Sequence, residues 1–382
     1  MSISHWKRSP VPMRAEPSDA VVIGAGITGL TAAYELAERG LSVTILERHT
    51  LGWGASSRNA GFLMRGVAES YARCCHEFGR ETASRVWRWS EENLALLRDR
   101  YSITDLDSYQ AIPSSIVAMS ESEAEELRTS ANMLEEDGFE CTLQTSGDDT
   151  LWTNVKPEIA LVNPNDAAIN PWDLVNRLKD SLMRAHPDKV TLIENAEVTH
   201  FDPNGHPLTR SHAFLCKTVL VCTNAWASEL LPSLGAQIEP NRGQMLALRA
   251  KGVTLDASYY LNRGSEYIRQ THDGTIILGG MRTLRETEEQ TASDATTHAL
   301  QSALDGYARK VLNTEIEVIA RWAGTMGFSP TGLPIIAKAN EHPGNIWFCG
   351  GLTGHGMSLG ARTAKAAVES MQANKPSPFP VS

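Results

Sequence analysis

A short apolar run, Ala20-Val21-Val22-Ile23, follows Asp19 and stops at Gly24. Beyond it the period changes. Ile27, Leu30, Tyr34 and Ala37 recur every three to four residues, which predicts a helix. Gly40 stands where a helix C-cap is expected. A second apolar run over residues 41–46 ends at Glu47. The order is strand, glycine turn, helix, strand and acid. Near the other end, Trp347-Phe348-Cys349 predicts a buried strand, followed by a glycine-dense turn and a small-residue helix over about 355–371.

The middle reads differently. Residues 69–100 carry Trp87, Trp89, Leu94 and Leu97 among charges and predict helix; residues 120–137 predict an acidic, solvated helix. Short apolar runs at 244–248, 258–261, 266–269 and 275–278 predict strands, with His272-Asp273-Gly274 as a hairpin turn. The fold class is therefore α/β, a Rossmann-like unit joined to an α+β region with an antiparallel sheet. The proline-rich end, residues 375–380, reads as a tail.

Composition narrows the function. The chain has 382 residues and a net charge of −10, which disfavours nucleic acid as a partner. No run of 18 apolar residues predicts a membrane span, and the start lacks the apolar core of a secretory signal. The six cysteines show no metal spacing and read as reduced thiols of a cytoplasmic protein.

The turn Gly24-Ala25-Gly26-Ile27-Thr28-Gly29 has a specific physical demand. Gly24 permits the turn, Gly26 lets backbone approach a pyrophosphate, and Gly29 lets the helix lie against the strand. The helix N-terminus, at Ile27 and Thr28, offers free N–H groups to phosphate. Glu47 can accept hydrogen bonds from a ribose diol and repels a 2′-phosphate. This unit alone does not separate FAD from NAD. The following loop, Gly52-Trp53-Gly54-Ala55-Ser56-Ser57-Arg58-Asn59-Ala60-Gly61-Phe62, is small, hydroxyl-rich and suited to lying along a pyrophosphate and ribityl chain.

That loop resembles the flavin-contacting loop of the D-amino-acid oxidase/glycine oxidase superfamily. The resemblance runs over about residues 18–372 and extends to the γ-glutamylputrescine oxidase branch. It covers Ile169-Asn170-Pro171 with the helix over 172–184, Glu197-Val198, Val219-Leu220-Val221-Cys222-Thr223-Asn224-Ala225-Trp226 and Pro240-Asn241-Arg242-Gly243-Gln244. It closes with Arg321-Trp322-Ala323-Gly324 and Gly350-Gly351-Leu352-Thr353-Gly354-His355-Gly356-Met357. It implies a discontinuous FAD-binding domain (1–80, 150–232 and 321–382) and a substrate domain (81–149 and 233–320). It also implies FAD contacts from Arg48, Ala55 to Gly61, Val198, Thr223, Asn224, Trp226, Gly324, Gly351 and residues 353–357. His355, Arg242 and Tyr260 are the catalytic candidates, each with a plain packing or ion-pair alternative.

The implied reaction oxidises an amine C–N bond to an imine by hydride transfer to flavin N5, with oxygen or another electron acceptor completing the cycle. Departures from the relatives shape the expectation. Glycine oxidase and D-amino-acid oxidase carry a carboxylate-binding Arg near the position of Met326, and sarcosine oxidases a Lys near Ser358. A neutral pocket and a longer amine are therefore expected. The flavin-linking Cys of sarcosine-type oxidases has no counterpart around residues 324–330, so FAD is expected to be non-covalent. The alternatives are a small-amino-acid enzyme, another flavin or NAD enzyme such as a 2-hydroxyacid dehydrogenase, and a flavin-binding subunit without turnover.

Overall fold

Residues 13–373 and Phe379 of the computed structural model are described here. The chain builds two large sheets. The first has six strands, in the order Ile335–Lys338, Ile346–Gly350, Cys216–Val221, Ser18–Ile23, Val43–Leu46 and Val190–Ile193. All pairings are parallel except that of Ile335–Lys338, an edge strand running the other way. The strand Ser18–Ile23 sits near the middle and is buried on both faces, as a near-continuous apolar run requires. Ala20 and Val22 point into a core with the helices Ile27–Glu38 and Gly356–Ala373. Val21 and Ile23 point the other way, against Phe214, Val219 and Phe348.

The small residues anticipated near the C-terminus are what let Gly356–Ala373 pack closely. Ala361, Ala364 and Ala367 are fully buried. The predicted helix over 69–100 is two helices, Tyr71–Phe78 and Arg80–Tyr101, broken at Gly79 with φ +80°. The second packs against the last helix, Gly356–Ala373. Asn93 Nδ2 donates to the Met357 carbonyl at 2.9 Å, and its Oδ1 accepts from the Ala361 amide at 3.0 Å. The acidic helix forms over Glu121–Glu136, capped by Ser120 Oγ, which accepts from the Glu123 amide.

The second sheet has eight strands, from Ile316–Phe328 and Glu239–Ala250 at one side to Ile159–Asn163 and Thr142–Gln144 at the other. It is antiparallel save for one parallel pair, Ser258–Leu261 beside Ser114–Ala118. The hairpin at His272-Asp273-Gly274 joins Glu266–Gln270 to Ile276–Gly280 as the turn chemistry predicted. The expected domain boundaries differ from this arrangement. Residues 159–163 and 321–328, which the sequence division put in the FAD domain, are strands of the large sheet. Strand pairing draws them there, and the alternation of their side chains carries no record of which sheet they join.

Alternation along this sheet decides function. Leu246, Leu248, Ile268 and Leu278 face a core completed by the helix His298–Leu312. Gly243, Met245 and Tyr267 project the other way, into a cavity. Among the described residues, no helix is long and apolar enough to cross a membrane, and no group of three metal-ligating side chains is assembled. Of the expected tail only Phe379 is described. Its ring packs against Trp89 at 4.5 Å.

The first strand, the turn and the first helix meet with no space to spare. A Cβ on Gly29 would lie 1.9 Å from the Gly24 carbonyl oxygen. Helix propensity alone favours Ala over Gly by about 1 kcal/mol, but the clash is with backbone and cannot be relieved by a rotamer. Gly29→Ala should therefore destabilise, by about 2 kcal/mol or more, read as a lower thermal midpoint. A midpoint equal to or above that of the wild type would refute the close approach.

Candidate active site

A cavity of about 1010 Å³ opens between the C-terminal ends of the parallel strands and the exposed face of the large sheet. Ligands in open α/β folds collect at such strand ends. Gly24, with φ +106°, forms its head, and a Cβ there would meet the Cys222 carbonyl oxygen at 2.9 Å. Gly26 faces Ser56, whose Oγ would be 2.6 Å from an added Cβ. Ser56 Oγ accepts from the Ile27 amide at 3.0 Å. The residue before the helix, Gly26, has no side chain to cap it, and Gly26, Ile27 and Thr28 line the cavity.

Glu47 ends the second parallel strand. Its Oε2 accepts from the Ala25 amide and its Oε1 from the His49 amide, both at 2.9 Å. Each oxygen keeps acceptor capacity for a hydroxyl donor. Beside it, Arg48 stacks over Trp226 at 4.9 Å and pairs with Glu229 at 3.0 Å. Val198 and Thr223 complete this end. Asn224, in the left-handed region at φ +47°, accepts from the Gly351 amide through Oδ1 at 2.9 Å. It thereby ties two strand ends together.

At the other end the loop over residues 52–62 holds its own shape. Ser57 Oγ donates to the Gly52 carbonyl at 2.6 Å, Asn59 Nδ2 donates to the Ala55 carbonyl at 3.0 Å, and Asn59 Oδ1 accepts from the Gly61 amide at 2.8 Å. Arg58 donates to the Trp53 and Ala323 carbonyls and lies 3.3 Å from Asp294. Opposite, Thr353 and Gly354 take positive φ and deliver His355 and Gly356 to the cavity wall at the head of the last helix. Burial pushes the pKa of the His355 imidazole down to about 4.

Tyr260 lines the same cavity with Tyr267 and Phe62, whose rings meet edge-on at 5.1 to 6.1 Å. Burial raises the pKa of both tyrosines, so their hydroxyls stay protonated. Arg242, the third catalytic candidate, is elsewhere. It faces away from the cavity, where Nε and Nη2 donate to the Glu289 carboxylate at 2.8 and 2.7 Å. Strand alternation explains this, since Gly243 beside it is the residue that faces the cavity. Gly29, Ser57 and Gly351 shape backbone nearby without lining the cavity, whereas the other anticipated cofactor residues line it.

Two residues were invisible to sequence reasoning. Arg269 is buried, with no carboxylate partner among the described residues. It donates to the Ala60 carbonyl, to Gln110 Oε1 at 2.9 Å and to the Ile169 carbonyl at 2.9 Å, and so joins the loop to the large sheet. Arg282 lies in the cavity wall, against the expectation of a neutral pocket. Neither carries a motif; Arg282 stands in the polar run Arg282-Thr283-Leu284-Arg285, which reads as surface.

Residues 19–370 match the family described as DAO, FAD dependent oxidoreductase. The chain belongs to this family of FAD-dependent oxidoreductases. It is 25% identical over 339 residues to a glycine oxidase of Geobacillus kaustophilus, covering 85% of this chain and 84% of that one. It is 22% identical over 356 residues to the gamma-glutamylputrescine oxidoreductase of Escherichia coli, covering 89% and 80%. The crystal structure of glycine oxidase from Geobacillus kaustophilus superimposes with a TM-score of 0.77 at 22% identity, covering 96% of this chain and 97% of that chain.

The DAO-family cofactor is FAD, and the residues present fit it. A Cβ on Gly24 or Gly26 would strike the Cys222 carbonyl or Ser56 Oγ, so glycine keeps this turn tight while Gly24, Gly26, Ile27 and Thr28 line the cavity, and the Glu47 carboxylate keeps free lone pairs for ribose hydroxyls. The cavity is long enough in residues, from Val198 to Met357 and Tyr260, to hold a dinucleotide and a second, small ligand.

Two outcomes test these assignments. Arg242→Met leaves the Glu289 carboxylate, 0% exposed, without its counter-charge. Unfolding free energy should drop by about 3 to 5 kcal/mol in denaturant melts, and a drop below about 1 kcal/mol would contradict the ion-pair role. The His355 pKa is about 4 in the fold against about 6.5 in an unfolded chain. Below about pH 6.5 the unfolded state binds a proton that the folded state refuses, so this stability is present at higher pH and is lost as pH falls toward 4. His355→Asn should lose less thermal midpoint than the wild type between pH 7 and pH 5; equal losses would exclude the effect.

Proposed function

We propose that this chain oxidises the C–N bond of a primary or secondary amine to an imine, with FAD held non-covalently. The observation that carries the reading is the character of the chamber. Phe62, Met245, Tyr260, Tyr267 and Met326 form an aromatic and apolar wall beside the Gly354-His355-Gly356 turn. Met326 Sδ would lie only 3.3 Å from a Cβ on Gly354. Such a wall disfavours an ammonium and favours the free amine. His355, held neutral, adds no positive charge there.

The chemistry that bound FAD supplies is acceptance of a hydride equivalent from the carbon bearing nitrogen. The chain's residues do the rest. The wall excludes water and presses the substrate toward the turn. The protonated Tyr260 and Tyr267 hydroxyls offer hydrogen bonds rather than bases. The helix Gly356–Ala373 directs its N-terminus toward negative charge arising near residues 354–357. The names of the relatives, a glycine oxidase and a gamma-glutamylputrescine oxidoreductase, are consistent with amine chemistry.

The non-covalent reading has its own support. Cys74 and Cys222 line the cavity, and both are poor nucleophiles. Burial raises the Cys74 thiol, and the Cys349 thiol with burial raises that of Cys222.

Anaerobic mixing of the yellow holoprotein with a panel of amines should bleach its visible bands, and 2-hydroxy acids should not. Bleaching by hydroxy acids alone would overturn the amine reading, and no bleaching by any donor would favour a subunit without turnover. Denaturation should release all colour into the supernatant; a yellow polypeptide would disprove non-covalent binding.

A further inference from the structure

The polypeptide between Ile276–Gly280 and the helix His298–Leu312 forms a strap beside the cavity, of which Arg282 and Thr283 line the wall. Gly280, at φ +117°, and Met281, at φ +60°, turn the chain sharply out of the sheet. A Cβ on Gly280 would lie 2.1 Å from the Ser265 carbonyl oxygen, so the turn is set by packing. The strap is then latched from beneath. Arg242 and Gln244 both bond the buried Glu289 carboxylate, Arg242 Nη1 donates to the Ala295 carbonyl at 2.8 Å, and Arg58 pairs with Asp294. Its first residues, Arg282 and Thr283, are thereby held in the cavity wall.

Four arginines line this cavity. Arg48 pairs with Glu229, Arg58 with Asp294 and Arg263 with Glu126. Among the described residues Arg282 alone of the four has no carboxylate partner. It donates from Nη1 to Asn241 Oδ1 at 3.0 Å, and its guanidinium lies 4.9 Å from the centre of the Phe328 ring. Both partners are neutral, and both fix orientation. A guanidinium has five donors, of which this arrangement uses one. Its charge is felt by Tyr267, where it opposes the upward push of burial. Among the described residues the Tyr267 hydroxyl bonds only the Met245 sulfur, at 3.2 Å, a weak acceptor. A cation and a donor thus face the same cavity with unused capacity.

Position along the strand sets what they take. Met326, beside the Gly354 turn, and Phe328, under Arg282, face the cavity from one strand two residues apart. Two residues along a strand span about 6.6 Å. Pro330 and Thr283, both exposed, mark the mouth on the Arg282 side. The uncharged chamber and the free cation are therefore different places. We infer that Arg282 is a specificity-determining residue that anchors a substrate carboxylate several bonds away from the amine carbon being oxidised. The substrate class is an amine with a remote anionic group, not an α-amino acid. Arg242 and Glu289 act through the strap as positioning residues for this anchor.

The inference rests on the proposed amine chemistry, and its test separates the two. Holoenzyme is assayed with the straight-chain ω-amino carboxylates, from glycine through β-alanine and 4-aminobutyrate upward, and with n-alkylamines of matching length. The expected result is kcat/KM rising from glycine to the members with three or more methylenes, which exceed their alkylamine counterparts by about 10- to 100-fold, as charge-assisted hydrogen bonds would give. In Arg282→Met that ratio should collapse toward one, chiefly through KM, since the anchor acts alike in ground and transition states. Arg282→Lys should restore part of it. Asn241→Leu, which removes the orienting partner, should shift the ratio in the same direction to a smaller extent, and serves if Arg282→Met does not fold. A second readout needs no turnover: butyrate titrated into the holoenzyme should perturb the visible flavin bands in the wild type and at least tenfold more weakly in Arg282→Met. Glycine as the best substrate, equal rates for carboxylated and plain amines, or unchanged butyrate binding in Arg282→Met would each overturn the anchor. If no amine bleaches the flavin while butyrate binding still depends on Arg282, the amine reading fails and the anion site stands.

Discussion

Backbone against backbone, with no side chain between, is the constraint on which this molecule depends. Gly29 of the first helix rests on the Gly24 carbonyl, and Gly24 rests on the Cys222 carbonyl of the neighbouring strand. Two parallel strands and a helix converge there at separations that no Cβ allows. The result is a glycine turn and helix start at the head of the sheet whose residues Gly24, Gly26, Ile27 and Thr28 line the cavity. That helix start is where a dinucleotide phosphate would meet backbone donors.

A second set of contacts brings the large sheet over this point. Arg269, buried, holds the Ala60 and Ile169 carbonyls from a strand of the sheet. Trp322 Nε1 donates to the Arg58 carbonyl at 3.0 Å, and Arg58 returns a bond to Ala323. A buried cation without a carboxylate is costly; here the charge is spread over three neutral acceptors. Its position ties the loop over residues 52–62 to the sheet.

Charge is then distributed by strand alternation. Arg242 and Gly243 are neighbours in sequence, yet one is sealed in an ion pair behind the sheet and the other lines the cavity. The ion pair fixes a strap that carries another arginine to the front. The wall next to the Gly354 turn is apolar and aromatic, and the cation stands at the mouth. This separation suits a substrate that must be neutral at one end and gains by being anionic at the other.

The glycine turn and Glu47 were legible from residue order, because their spacing is dictated by backbone geometry, whereas the terminal Gly354-His355-Gly356 motif was legible through its resemblance to a known family. Residue order likewise showed the hairpin at residues 272–274 and the helix end at Gly40. Arg242, Arg269 and Arg282 could not be sorted from sequence: they are three arginines in or beside strands, and their roles differ only in which face they take and what lies opposite. The allegiance of residues 159–163 and 321–328 to the large sheet was equally hidden, since a strand's alternation does not name its partner. The chain's order determined the glycine turn and the acid that ends its unit, because residues 24–47 are contiguous and their spacing is set by backbone geometry. Folding alone decided where the Arg282 charge would stand, because that depends on distant segments meeting across a sheet.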